Sequence, residues 1–119
     1  MGLGTIYVVE ENPDIRQMLG YVLEQNGHVA SIFATLDTAL DCLAIDPPRL
    51  VIVDVAAPGR LSAQEFITFV RDTSPGTHII IITADPVVQG KWKVLGADAC
   101  VMKPFDLEQL LAIISVLRG

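Results

Sequence analysis

The apolar run near the start of the chain stops on two adjacent glutamates, Glu10 and Glu11, in the stretch YVVEENPDIR. Neighbouring carboxylates repel each other, so the pair is either a solvated turn or part of a cation site. Other short apolar runs also end on or beside reactive side chains: LVIVD closes on Asp54, IIIIT on Thr83, and ACVM is followed by Lys103. Brought together, the three carboxylates would raise one another's pKa unless a metal ion or Lys103 offset the repulsion. Carboxylate oxygens suit Mg²⁺, which keeps several waters and takes only one or two protein carboxylates. In such a site Asp54 is an in-line nucleophile toward a phosphoryl group. Mg²⁺ and Lys103 would neutralise the equatorial oxygens, and the Thr83 hydroxyl would donate a hydrogen bond. The product would be an acyl phosphate on Asp54.

That chemistry needs elements that bring distant residues to one place. Short β-branched runs predict strands at residues 5–9, 29–33, 50–53, 79–83 and 99–102. The first, third and fourth are almost continuously apolar, as strands buried on both faces should be. Between the strands, apolar residues recur at helical spacing: Ile15, Met18, Leu19, Val22, Leu23; then Leu36, Ala39, Leu40, Leu43, Ala44; then Ala63, Phe66, Ile67, Val70; and finally Leu107, Leu110, Leu111, Ile114. Residues 86–95, with Gly90 inside, form the weakest helical pattern. Asn12-Pro13 and Asp85-Pro86 each place an N-cap before a proline at the first helical position. Ser62 with Glu65, and Asp106 with Gln109, have capping-box spacing, and Phe105 and Leu110 are placed for a hydrophobic staple. Gly27 stands where the first helix should end.

The order βαβαβαβαβα predicts an α/β fold with a parallel sheet covered on both faces by right-handed crossovers. Ligands of such sheets bind at the carboxyl ends of the strands, beside the point where strand order reverses. With the order 2-1-3-4-5, strands one and three are neighbours, and Glu10, Glu11 and Asp54 converge at that point with Thr83 and Lys103 beside them.

Composition narrows the classes of function. The chain has 119 residues, enough for one domain, and carries 8 basic against 14 acidic residues, a net charge of -6. No Lys/Arg cluster gives it an electrostatic footprint for nucleic acid or for an anionic membrane surface. The apolar runs are too short to span a bilayer, and MGLGT lacks the basic start of a signal peptide. Cys42 and Cys100 lack metal-ligand spacing and read as reduced thiols of a cytoplasmic protein.

VVEENPDIR, LVIVDVAAPG, IIIITAD and GADACVMKPF, in this order over essentially the whole chain, resemble the receiver domain of two-component response regulators. The resemblance implies a flavodoxin-like (βα)5 three-layer sandwich over residues 1–119. It implies that Asp54 is the phosphoacceptor, that Glu10 and Glu11 occupy the acidic-pair positions, and that Thr83 and Lys103 are the switch hydroxyl and phosphate-pairing lysine. The Ala56 carbonyl would complete the Mg²⁺ shell with Glu10, Glu11 and Asp54, and Lys103-Pro104 is a candidate cis bond. Implied partners are a histidine kinase or phosphotransfer protein, and a homodimer through the fourth helix, fifth strand and last helix.

The sequence also departs from the family pattern. Glu11 stands where Asp is usual and is longer by one methylene, and Mg²⁺ tolerates geometric error poorly. Ala57, Leu61 and Ser62 replace the common Met, Asp and Gly of the loop after Asp54. Cys100 fills the aromatic switch position, and a small thiol cannot carry a ring toward Thr83. A receiver-like interaction module that is not phosphorylated is therefore the alternative reading. An enzyme on a similar sheet fits less well. EENPD is the electrostatic opposite of a phosphate-binding loop, and Ala56 stands where a phosphatase of the haloacid-dehalogenase type has a second Asp. Trp92 reads as ordinary packing or as part of a partner surface. Ile113, Val116 and Leu117 widen the apolar face of the last helix, for deeper burial or for a dimer contact. No output module follows that helix in the sequence, as expected of a stand-alone receiver or of one cut from a larger protein.

Overall fold

The structure, a computed structural model, describes residues 5–118; the first four residues of MGLGT lie outside the described residues. Five parallel strands, β1 (Thr5–Val9), β2 (Val29–Phe33), β3 (Leu50–Asp54), β4 (His78–Thr83) and β5 (Ala99–Met102), pair in the order β2-β1-β3-β4-β5. Strand order reverses between β1 and β3, so their carboxyl ends flank the crevice that the expected topology requires.

Alternation along the central strands divides the core into two layers. Ile6, Val8, Leu50, Ile52, Ile80 and Ile82 face the side covered by α1 (Pro13–Gln25) and α6 (Leu107–Arg118), where Leu19, Leu23, Leu110 and Ile114 meet them. Tyr7, Val9, Val51, Val53, Ile79 and Ile81 face α2 (Leu36–Ile45) and α3 (Ala63–Thr73), packing on Leu36, Leu43, Phe66 and Val70. Every residue of β3 is buried, because the strand lies at the centre of the sheet with helices on both faces.

Local signals fix the helix ends. The Asn12 side chain accepts from the amides of Asp14 and Ile15, and Asp85 accepts from Val87. Ser62 and Glu65 form a reciprocal capping box. Asp106 instead caps through the amide of Glu108, while Phe105 packs into the layer that holds Leu110. Gly27 has a φ of 83°, a left-handed conformation that favours glycine just past the end of α1.

The weak fourth helix is two short ones, α4 (Pro86–Gln89) and α5 (Trp92–Leu95). Gly90 ends the first, and Lys91 begins the second without a side-chain cap. Trp92 is half-buried against the α2/α3 layer together with Cys100. On α6, Val116 is 77% exposed, and the half-buried Ile113 and Leu117 beside it line a shallow groove against Ala99. Neither described cysteine is in a disulfide. Among the described residues, no helix is long and apolar enough to cross a membrane.

Candidate functional site

The carboxyl ends of β1, β3, β4 and β5 surround a cleft of about 960 Å³. Glu10, Glu11, Asp54, Ala56, Thr83 and Lys103 all line it. Each arrives there for a local reason: Glu10 and Glu11 follow β1, Asp54 is the last residue of β3, Thr83 is the last of β4, and Lys103 directly follows β5 and precedes a cis bond to Pro104.

Lys103 organises the centre. Its Nζ lies 2.7 Å from Asp54 Oδ2 and 2.7 Å from Glu10 Oε1. Burial alone would lower the Lys103 pKa, but the flanking carboxylates of Asp54 and Glu10 outweigh it and hold the ammonium charged. Glu10 is fully buried, with 0% of its surface exposed. Burial raises its pKa and the repulsion of Asp54 adds to that rise, against the opposing pull of Lys103 and the Asn12 amide, which donates to Oε2 at 3.0 Å. Oε1 is met by the Lys103 ammonium, which it shares with Asp54. Two buried carboxylates around one ammonium leave negative charge of the kind that a hard cation balances.

Asp54 is held from the other side by its own loop. The amide of Ala56 donates to Oδ1 at 2.9 Å, and the amide of Ala57 donates to the Asp54 carbonyl at 2.9 Å. Farther on, the loop is fastened to the start of α2. Pro58 accepts from the Leu36 amide at 2.8 Å, and Asp37 accepts from the Arg60 amide at 3.1 Å. A Cβ added at Gly59 would stand 2.8 Å from Leu36 Cβ, so this close approach requires glycine.

Thr83 is buried, and its Oγ1 accepts from the Asp85 amide at 3.0 Å, leaving its own proton available to another acceptor. Cys100 packs against the α2/α3 layer, and burial pushes its thiol pKa up, away from the reactive thiolate.

The three carboxylates are not gathered equally. Glu10 and Asp54 share Lys103, whereas Glu11 is exposed on the rim. Among the described residues, no three His, Cys, Asp or Glu side chains are grouped to hold a metal ion. Two carboxylates with room for water still match what Mg²⁺ takes from a protein. One contributor went unnoticed in the sequence. Arg16 Nη1 donates to the carbonyls of both Glu10 and Glu11, at 2.9 and 3.2 Å. Its signal was its position four residues past the N-cap Asn12, because side chains on a helix lean toward the N-terminus.

Comparison with known proteins agrees with this fold. A family model described as "Response regulator receiver domain" matches residues 6–115. The "Uncharacterized transcriptional regulatory protein YkoG" of Bacillus subtilis (strain 168) is 36% identical over 114 residues, which cover 94% of this chain and 50% of that protein. "Response regulator MprA" of Mycolicibacterium vanbaalenii is 36% identical over 109 residues, covering 90% of this chain and 47% of that one. The solved structure "BeF3 Activated DrrB Receiver Domain" superposes with a TM-score of 0.85 at 28% identity, over 96% of each chain. The chain spans about half the length of the curated relatives it matches.

Proposed function

The chain belongs to the response regulator receiver domain family, a signalling module rather than an enzyme in the usual sense, and we propose that it is switched by phosphorylation of Asp54. In this reading residues 1–119 act as one cytoplasmic receiver. The phosphoryl donor is a histidine kinase or phosphotransfer protein. A carboxylate oxygen of Asp54 forms the new P–O bond as the P–N bond of the donor's phosphohistidine breaks and the electron pair leaves with the imidazole.

The observation that carries the reading is the setting of Asp54: nearly buried, at the reversal of strand order, with one oxygen on a main-chain amide and the other on Lys103. A nucleophile so placed has a fixed direction of attack into the cleft. Lys103 supplies positive charge for the incoming oxygens, and the Thr83 hydroxyl has a proton to donate to one of them. Glu10, Glu11, Asp54 and the Ala56 carbonyl would hold Mg²⁺. When bound, the ion neutralises charge on the transferring group. The pairing of Glu10 and Asp54 with a single Lys103 supports a cation there.

The position of Glu11 favours a second reading. Its side chain is exposed rather than gathered with Glu10 and Asp54, as expected of a receiver-like interaction module that works without phosphorylation. Chilled intact-mass spectrometry after incubation with acetyl phosphate separates the two. A single phosphoryl adduct that requires Mg²⁺ supports the switch. Absence of an adduct under rapid quenching, with a known receiver labelled in parallel, supports the interaction module.

A further inference from the structure

The acidic turn is gripped from behind by a residue to which the phosphoryl chemistry gives no part. Arg16 sits in the second turn of α1, half-buried, and reaches back over the start of the helix. Its Nη1 donates to the Glu10 carbonyl at 2.9 Å and to the Glu11 carbonyl at 3.2 Å. A single charged donor thus ties two consecutive peptide groups to the helix, and charge-assisted hydrogen bonds are the strong ones. Glu10 has further anchors: its amide donates to the Phe33 carbonyl at 3.0 Å, and its carboxylate accepts from Asn12. Glu11 differs, because its carboxylate is exposed and Arg16 grips its main chain directly.

The main-chain anchor matters more for a glutamate than for an aspartate. The longer side chain has one more rotatable bond, so the carboxylate finds a ligand position readily only if its starting point is fixed. With both carbonyls committed to Arg16, the turn presents its carboxylates, rather than its carbonyls, as oxygen donors. The guanidinium also places a positive charge behind two adjacent acids.

We propose that Arg16 is a positioning residue that fixes the Glu10–Glu11 turn relative to Asp54, and thereby sets the affinity of the cleft for a divalent cation. The assignment rests on the reading of the cleft as a Mg²⁺-dependent phosphoryl-acceptor site. Arg16 touches neither the metal nor the reacting atoms in this role; it acts through the two glutamates.

The test is calorimetric titration of the whole chain with Mg²⁺, without any phosphoryl donor, for wild type, Arg16→Met and Arg16→Lys. Methionine keeps an unbranched stem and removes every donor, whereas lysine keeps the charge at a single point. Arg16→Met should raise the half-saturating Mg²⁺ concentration about tenfold, the scale typical of residues that orient metal ligands. Arg16→Lys should fall between it and wild type. Acetyl phosphate labelling of Arg16→Met at saturating Mg²⁺ should reach the wild-type extent, because the nucleophile and Lys103 are untouched. Mg²⁺ affinity unchanged in Arg16→Met, with or without a fall in melting temperature, would overturn the positioning role and leave the metal site standing. A wild-type chain that takes up no Mg²⁺ would overturn the metal-site reading and this role with it. If Arg16→Met does not fold, Arg16→Gln, with a neutral donor, takes its place under the same criteria.

Discussion

Two charge clusters occupy opposite ends of the same sheet, and they are built on different principles. At the amino ends of the strands, Arg71 spends its guanidinium on aimed bonds: to the Gly96 carbonyl, to the Thr77 carbonyl and to Asp98 Oδ2, each at 2.8 Å. Asp98 also accepts from the Ile79 amide at 2.8 Å. Burial would raise the Asp98 pKa, but the hydrogen bonds and charge of Arg71, the Ile79 amide and His78 outweigh it and hold the carboxyl below its usual value. At the carboxyl ends, one lysine serves two buried carboxylates. The first cluster is satisfied and pins α3 to β4 and β5. The second is short of positive charge, the condition expected of a site that accepts another cation.

The largest expected effect falls on the under-satisfied cluster. Asp54→Asn removes the nucleophile and should abolish the acetyl phosphate adduct, while Asp98→Ala should leave its formation intact; intact-mass spectrometry reads both. Next is Lys103→Met, which strands Glu10 and Asp54 together without their cation. Breaking a buried ion pair by removing one partner costs about 3 kcal/mol or more, so urea unfolding at neutral pH should show a loss of that order. The sign of its pH dependence follows from Glu10, whose pKa is raised in the folded state. Stability associated with such a group is present below its unfolded pKa and lost as pH rises through the folded value. The Lys103→Met defect should therefore shrink on acidification.

The satisfied cluster predicts a defect that also fades in acid, but because wild type loses a contribution rather than because the variant is relieved. Asp98→Ala should cost about 2 kcal/mol by leaving Arg71 and the Ile79 amide without their acceptor. The folded pKa of Asp98 is depressed below 3.8, so its contribution stands above that value and fades as pH falls through the folded pKa. Wild type and Asp98→Ala should thus converge in stability at strongly acidic pH, where Lys103→Met also approaches wild type for the opposite reason. Ser62→Ala, in the capping box of α3 and in neither cluster, should cost only about 1 kcal/mol, roughly 4 °C in melting temperature. A much larger loss there would mean that the cap also holds the loop after Asp54.

The difference between the clusters also marks what the sequence could reveal. Apolar runs and caps located the strands to within a residue, and His78 joined β4 although it is not apolar. The two-layer core followed from simple alternation. The fourth helix was legible only as a weakness, because Gly90 marks a break but does not say that the chain restarts as a second short helix at Trp92. At the candidate site, strand ends identified which residues meet. The two-to-one sharing of Lys103 and the outward position of Glu11 depend on side-chain directions that spacing does not encode. The Arg71–Asp98 cluster was invisible for the same reason, since its partners are 27 residues apart and belong to no motif.

The central claim is that Asp54 carries the phosphoryl group. Borohydride reduces an aspartyl phosphate to homoserine, so reduction of the acetyl phosphate-treated chain followed by tandem mass spectrometry reads the acceptor directly. The account predicts homoserine at position 54 alone, and only when Mg²⁺ was present during labelling. Homoserine at another acidic residue, or an unreduced Asp54 in a chain that carries the adduct, would contradict it.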